Sequence, residues 1–152
     1  MVQFPWRGLL REESVVKADT ISLSTKGFGD IQDITPSVVG VVGRSGVKNG
    51  AAIVFCSGST GAVTTIEYES GVLEDLKKAV ERIAPAAIDY AHDRRWGDGN
   101  GFSHVRAAIL GPSLSVPILR GELALGTWQQ IVFIDFDNRS RRRNIVVQVL
   151  GE

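Results

Sequence analysis

Cysteine occurs once in this 152-residue chain, at Cys56, so no intrachain disulfide can form. Nothing else in the composition calls for an oxidising compartment. An excess of either charge is also absent: Lys+Arg and Asp+Glu number 17 each, and the formal charge is zero. General nucleic-acid and membrane-surface binders normally carry a basic excess, so neither partner is expected. No segment approaches the roughly 20 consecutive apolar residues that span a bilayer. The first ten residues, with Pro5, Trp6, Arg7 and Gly8 among them, lack the apolar core of a signal peptide. A cytoplasmic location is therefore expected. Histidine is nearly as scarce as cysteine, with two in the chain, His92 and His104.

What is present reads as one globular domain over residues 1–152, with 43% hydrophobic and 22% charged residues. A chain of this length can bury roughly 70% of the surface its unfolded form exposes, enough for a core without crosslinks. Alternation from Ser14 to Thr25 predicts one or two strands. Thr35 and Pro36 have the types favoured at a helix N-cap and first turn. Val38, Val39 and Val42 come next on one predicted face, and Gly43 and Gly46 can stop that helix. Ala51 to Ser57 suits a buried strand, and Ala62 to Glu69 a second, with Glu67 and Glu69 on one face. Val72, Leu73, Leu76, Ala79, Val80 and Ile83 trace the stripe of a long amphipathic helix that Pro85 ends. A loop is expected from about Ala86 to Phe102, then a short helix capped by Ser103. Strands are expected at Val116–Leu119, Glu122–Leu125, Gln130–Phe136 and Asn144–Leu150, with Arg139–Arg143 as a basic hairpin tip. Mostly antiparallel strands with one long and one or two short helices make a compact α+β domain, not a repeating βαβ fold.

Chemistry concentrates between residues 92 and 104, which hold both histidines, Asp93, Asp98, Arg94, Arg95 and Asn100 among three glycines. Histidine can move a proton near neutrality or bind phosphate when charged. Two histidines with aspartates between them can also hold a divalent metal, although their spacing fits no standard zinc signature. Asp98 and Asn100 serve equally as turn formers. The turn Gly58-Ser59-Thr60-Gly61 offers N–H groups and hydroxyls to an anion, but no P-loop lysine comes after it. Trp128 reads as core, Gln129 as a buried amide in need of a partner, and Cys56 as a small buried hydrophobe bordering the site. The arginine cluster at 139–143 reads as a solvated tip, with phosphate binding or subunit contact as its functional alternative.

The strings His92-Asp93, Asp98-Gly99-Asn100, His104, Gly111-Pro112-Ser113-Leu114, Gly121, Leu125-Gly126-Thr127-Trp128-Gln129 and Phe136-Asp137 occur in an order that resembles the YjbQ-like family, from about Val15 to Gly151. The resemblance implies an α+β fold of antiparallel sheets assembled as a homotrimer. It also implies a weak thiamine-phosphate synthase activity, joining a pyrimidine diphosphate to a thiazole phosphate. One departure stands out: where the family carries a histidine and two threonines, this chain has Gly58-Ser59-Thr60. A three-histidine cluster therefore lacks one member here.

The function expected is that of an enzyme acting on a small phosphorylated molecule in a histidine-containing pocket. His92, His104 and Asp98 are the catalytic candidates, and Ser59, Thr60, Asn100 and Gln129 the substrate-binding ones. Glu67 is the candidate metal ligand with His92 or His104, for Mg²⁺ or Zn²⁺. The rival reading is a ligand-binding or scaffolding homotrimer without efficient catalysis, which the missing histidine favours.

Overall fold

The structure, a computed structural model, describes residues 14–152; the reading of the first ten residues lies outside them. The described residues form an α+β fold of two antiparallel sheets and four helices. The larger sheet runs β1 (Val15–Thr25), β8 (Arg141–Gly151), β3 (Gly50–Cys56), β5 (Ser113–Leu119) and β6 (Glu122–Leu123). The smaller runs β2 (Asp30–Asp33), β7 (Gln130–Asp135) and β4 (Gly61–Ile66). The helices are α1 (Thr35–Ser45), α2 (Ser70–Ile83), α3 (Ala91–Trp96) and α4 (Gly101–Leu110). None is long and apolar enough to cross a membrane.

Side-chain periodicity places each sheet. In β8, Ile145, Val147 and Val149 are buried while the residues between them are half-buried, so one face meets the core. That face packs with Val54, Val116 and Ile118 of the large sheet, Val38, Val41 and Val42 of α1, and Val63, Ile131 and Phe133 of the small sheet. The other face of the small sheet, with Ala62, Val132 and Ile134, packs on Val80 of α2 and Ala107 of α4. Because β7 is covered on both faces, it reads as a continuous apolar run instead of an alternation.

Several local expectations are corrected. Ile34, not Thr35, is the N-cap of α1; Asp33 Oδ1 accepts from the Thr35 N–H at 2.8 Å, and the Thr35 hydroxyl accepts from Ile131 N at 2.8 Å. Val41 replaces Val39 on the buried face, Val39 being 51% exposed. The strand expected to reach Glu69 stops at Ile66, because the Glu69 carboxylate accepts from the Gly71 and Val72 N–H groups and caps α2. Those bonds, Gly71 first, draw its carboxyl below the usual range. Glu67 and Glu69 are therefore not a paired strand face. The long loop contains the six-residue α3, and α4 starts at Gly101, two residues before Ser103. Ser103 is buried inside its first turn, and its hydroxyl finds no partner among the described residues.

Two tertiary ties set the frame around the histidine-bearing helices. Arg106 of α4 is buried; its Nε donates to Ala84 O at 2.9 Å, and its guanidinium pairs with Glu81, fixing α4 to the end of α2. The Ala86 N–H and then Arg106 lower the Glu81 carboxyl from its usual range. Between β1 and β2 the chain passes through Gly27, Phe28 and Gly29, all at positive φ. A Cβ at Gly27 would overlap Arg139 O, so glycine there permits both the left-handed turn and the close approach of the β7–β8 connection.

Candidate active site

β3 delivers the turn Gly58–Gly61 to one end of the small sheet, and α4 passes beside it. Gly58, Ser59, Gly61, His104, Ala107, Ala108 and Pro112 line an open cleft of about 420 Å³ between them. The small residues keep it wide, and its walls are apolar except for His104 and the turn.

The histidine pair stands at this cleft. His92 lies on α3 and His104 on α4, with ring centroids 4.5 Å apart at a tilt of 47°. Asp98 Oδ1 is 3.3 Å from His92 Nε2. Buried Asn100 lies between the groups: with its amide turned to satisfy them, Nδ2 is 3.1 Å from His92 Nε2 and 3.3 Å from each Asp98 oxygen. A neutral imidazole accepts that amide hydrogen, whereas an imidazolium donates instead to Asp98. The Asp98 carbonyl accepts from Asn138 Nδ2 at 2.7 Å, which ties the loop to the β7–β8 connection. Asp93 Oδ1 accepts from the Gly101 N–H at 2.8 Å and so steers the start of α4.

Beneath the turn lies an ionic network that the sequence reading missed. Asp135 and Asp137 are fully buried. Arg143 donates from Nε to Asp135 Oδ2 at 2.7 Å, and from Nη2 to Asp135 Oδ1 at 2.6 Å and to Thr60 Oγ1 at 2.8 Å. The Thr25 hydroxyl donates to Asp135 Oδ2 at 2.5 Å, the Thr60 hydroxyl to Asp137 Oδ2 at 3.1 Å, and Arg141 Nε to Asp137 Oδ2 at 2.7 Å. Burial opposes ionisation of Asp137, yet the bonds from Arg141 and Thr60 outweigh it and hold its carboxyl below the usual range. The Asp135 carboxylate, against the cost of burial, pushes the Arg143 guanidinium further up. Arg141–Arg143 are thus the first residues of β8; Arg141 and Arg143 bind the buried aspartates and join the two sheets, whereas Arg139 and Arg142 are exposed, as expected of a solvated tip. The signal was available: an aspartate inside the apolar run Ile131–Phe136 needs a partner.

The structure brings His92, His104, Asp98 and Asn100 together, with Ser59 on the opposite wall of the cleft. Thr60 sits next to it but is buried, its hydroxyl committed to Asp137 and Arg143. Gln129 and Glu67 are elsewhere. They flank the Gln130–Ile66 pair, at the far end of the small sheet from the Gly61–Asp135 pair. At about 3.3 Å per residue, β4 sets Glu67 roughly 20 Å from Gly61. Gln129 is exposed, donating to Thr65 Oγ1 at 3.0 Å and accepting from the Gly126 N–H at 3.1 Å. Trp128, expected in the core, is 71% exposed. Among the described residues, His92, Asp93 and Asp98 can share a metal, their ligand atoms lying within 4.8 Å of one another. Cys56 is buried as expected, and burial pushes its thiol up.

Two antiparallel sheets with a histidine pair beside an open cleft at one end define the class of protein. The chain belongs to the family described as UPF0047 protein YjbQ-like, which matches residues 19–152. It is 39% identical to a UPF0047 protein of Methanothermobacter thermautotrophicus, over 90% of this chain and 94% of that one. A UPF0047 protein of Archaeoglobus fulgidus is also 39% identical, over 83% and 96%. Among solved structures, a YbjQ-like protein of unknown function from Sulfolobus solfataricus superposes with a TM-score of 0.87 at 33% identity, covering 91% of this chain and 99% of that one.

Proposed function

We propose that the cleft binds a small phosphorylated substrate and that His104, backed by His92, does acid–base work on it, in a reaction of the thiamine-phosphate synthase type. The observation that carries this reading is the 4.5 Å approach of the two imidazoles at the cleft, with Asp98 and Asn100 orienting one of them. Such pre-arranged donors act where charge develops, and general acid–base assistance contributes roughly 10²–10⁴-fold. In that reaction the pyrimidine carbon loses its bond to diphosphate as its bond to the thiazole nitrogen forms. The departing diphosphate carries charge that cations must meet. One imidazole and two carboxylates suit a borderline ion such as Zn²⁺ better than Mg²⁺, which prefers oxygen alone. His92, Asp93 and Asp98 would hold it, and it would supply charge to the leaving group.

The test is turnover of a pyrimidine diphosphate and a thiazole phosphate by the purified protein, with and without added Zn²⁺ or Mg²⁺. Product formation that depends on the intact cleft supports the reading, and absence of product under every metal condition rejects it. Gly58, in place of a third histidine, gives specific support to a second reading, ligand binding without efficient catalysis. Substrate binding by calorimetry with no product would favour that reading.

The reading extends to a homotrimer. The outward face of the large sheet carries exposed Val16, Phe55 and Leu119 and half-buried Ile53, Val146 and Leu150, apolar area that a second copy can cover. Light scattering at micromolar concentration should give three times the 16.4 kDa chain mass; a monomeric mass would remove this part.

A further inference from the structure

Arg143 has one nitrogen that the network does not use. Nε and Nη2 take all of its hydrogen bonds to Asp135, Asp137 and Thr60, so the plane of the guanidinium is fixed. Nη1 donates to no acceptor among the described residues, although the side chain is only 12% exposed. It lies 3.2 Å from where a Cβ of Gly58 would stand, and Gly58 and Ser59 line the cleft opposite His104. The backbone N–H groups of Ser59 and Thr60 likewise donate to nothing among the described residues. Nη1 is not fully buried, so it stays open to water or to an arriving acceptor.

We propose that Arg143 Nη1, reached across the bare α-carbon of Gly58, is the anchor for a phosphate group in the cleft, completed by the Ser59 hydroxyl and the free N–H groups of the turn. The proposal rests on the reading of the cleft as a phosphorylated-substrate site and names the residue that binds the phosphate. It also gives Gly58 a role. A side chain there would stand between Nη1 and the cleft, so glycine leaves the arginine open to it. The guanidinium fork suits an oxyanion, and its bonds to Asp135 aim it in advance. The two buried aspartates balance Arg141 and Arg143, so affinity should come from directed hydrogen bonds more than from net charge.

The experiment is a titration of the full chain with inorganic phosphate and pyrophosphate, monitored by ¹⁵N–¹H NMR and calorimetry, with acetate as control. The expected result is saturable shifts at the Ser59 and Thr60 amides and the Arg143 side chain, and stronger binding of phosphate than of acetate. Gly58→Ala places a methyl beside Nη1 without removing the charge, and the φ at Gly58 is not in the left-handed range, so folding should survive. Its phosphate Kd should rise roughly tenfold, the loss of about one charge-assisted hydrogen bond. Arg143→Lys, if it folds, should do the same. His104→Asn should lower turnover by roughly 10²–10⁴-fold yet leave phosphate affinity within about threefold, which separates this anchor from the catalytic reading. Unchanged affinity in Gly58→Ala, shifts confined to other residues, or no phosphate binding by the wild-type chain would each overturn it.

Discussion

Asp135→Ala should lower folding stability by about 3–5 kcal/mol, the effect expected when one partner of a buried, hydrogen-bonded ion pair is removed. Typical domains have only about 5–15 kcal/mol in total, so the loss is a large share of it and the urea midpoint should fall markedly. The reason is specific. Asp135 accepts from Arg143 twice, from the Thr25 hydroxyl and, through Oδ1, from the Asp137 N–H at 3.0 Å. Without it, Arg143 keeps only the neutral Thr60 hydroxyl at 2.8 Å and the longer 3.3 Å contact from Nη2 to Asp137. Asp89→Ala is the control, because its pairing with Arg94 is exposed on both sides, and such pairs contribute about 0–1 kcal/mol. Equal midpoints for the two variants would show that the network does not hold the sheets together. Acid titration adds a check of sign. The Asp137 carboxyl is held below its usual range, so its contribution is complete above the unfolded value of about 4 and is lost as pH falls through the folded value. An Asp137→Asn variant should lose that part of the acid dependence.

Legibility in the sequence tracks how locally each feature is encoded. The stripe of α2 and the proline in the first turn of α1 are short-range signals, and both helices lie where those signals put them. β2 has four residues and comes after a left-handed turn at Gly27–Gly29, so it is too short to show a period. α3 has six residues inside the glycine-rich stretch, and the same polar residues that marked a site concealed a helix. Trp128 failed differently: aromatic type predicts burial, but the residue lies on the turn leading into β7, where the chain faces water. At the site, His92, His104, Asp98 and Asn100 were legible because they lie within thirteen residues of one another. Arg143 was not. Its partner Thr60 is 83 residues away, and only the pairing of β8 with β3 and of β7 with β4 brings the two together. Glu67 shows the converse, since its place along β4 put it at the wrong end of the right strand.

His104→Asn should reduce kcat/KM for the phosphorylated substrates by roughly 10²–10⁴-fold, the range lost when a general acid or base is removed. Of the two histidines, His104 is the one that lines the cleft; His92 stands behind it, held by Asp98 and Asn100. The two should therefore respond differently. Asn in place of His104 removes the imidazole that lines the cleft, so on the proposed reading kcat should fall and the pH dependence of the remaining rate should flatten. Asn100→Ala removes a positioning residue while both imidazoles stay, so kcat should drop less and a pH profile with both limbs should persist. Glu67→Gln should change neither, because β4 places it at the opposite end of the small sheet. Folding must be matched by circular dichroism, since α3 and α4 meet at the histidine pair. A folded His104→Asn protein that keeps more than about a tenth of wild-type kcat/KM would exclude proton transfer by this residue, because even the weakest general acid–base contribution exceeds that factor. The cleft would then remain as a binding site, with the second reading in place of the first.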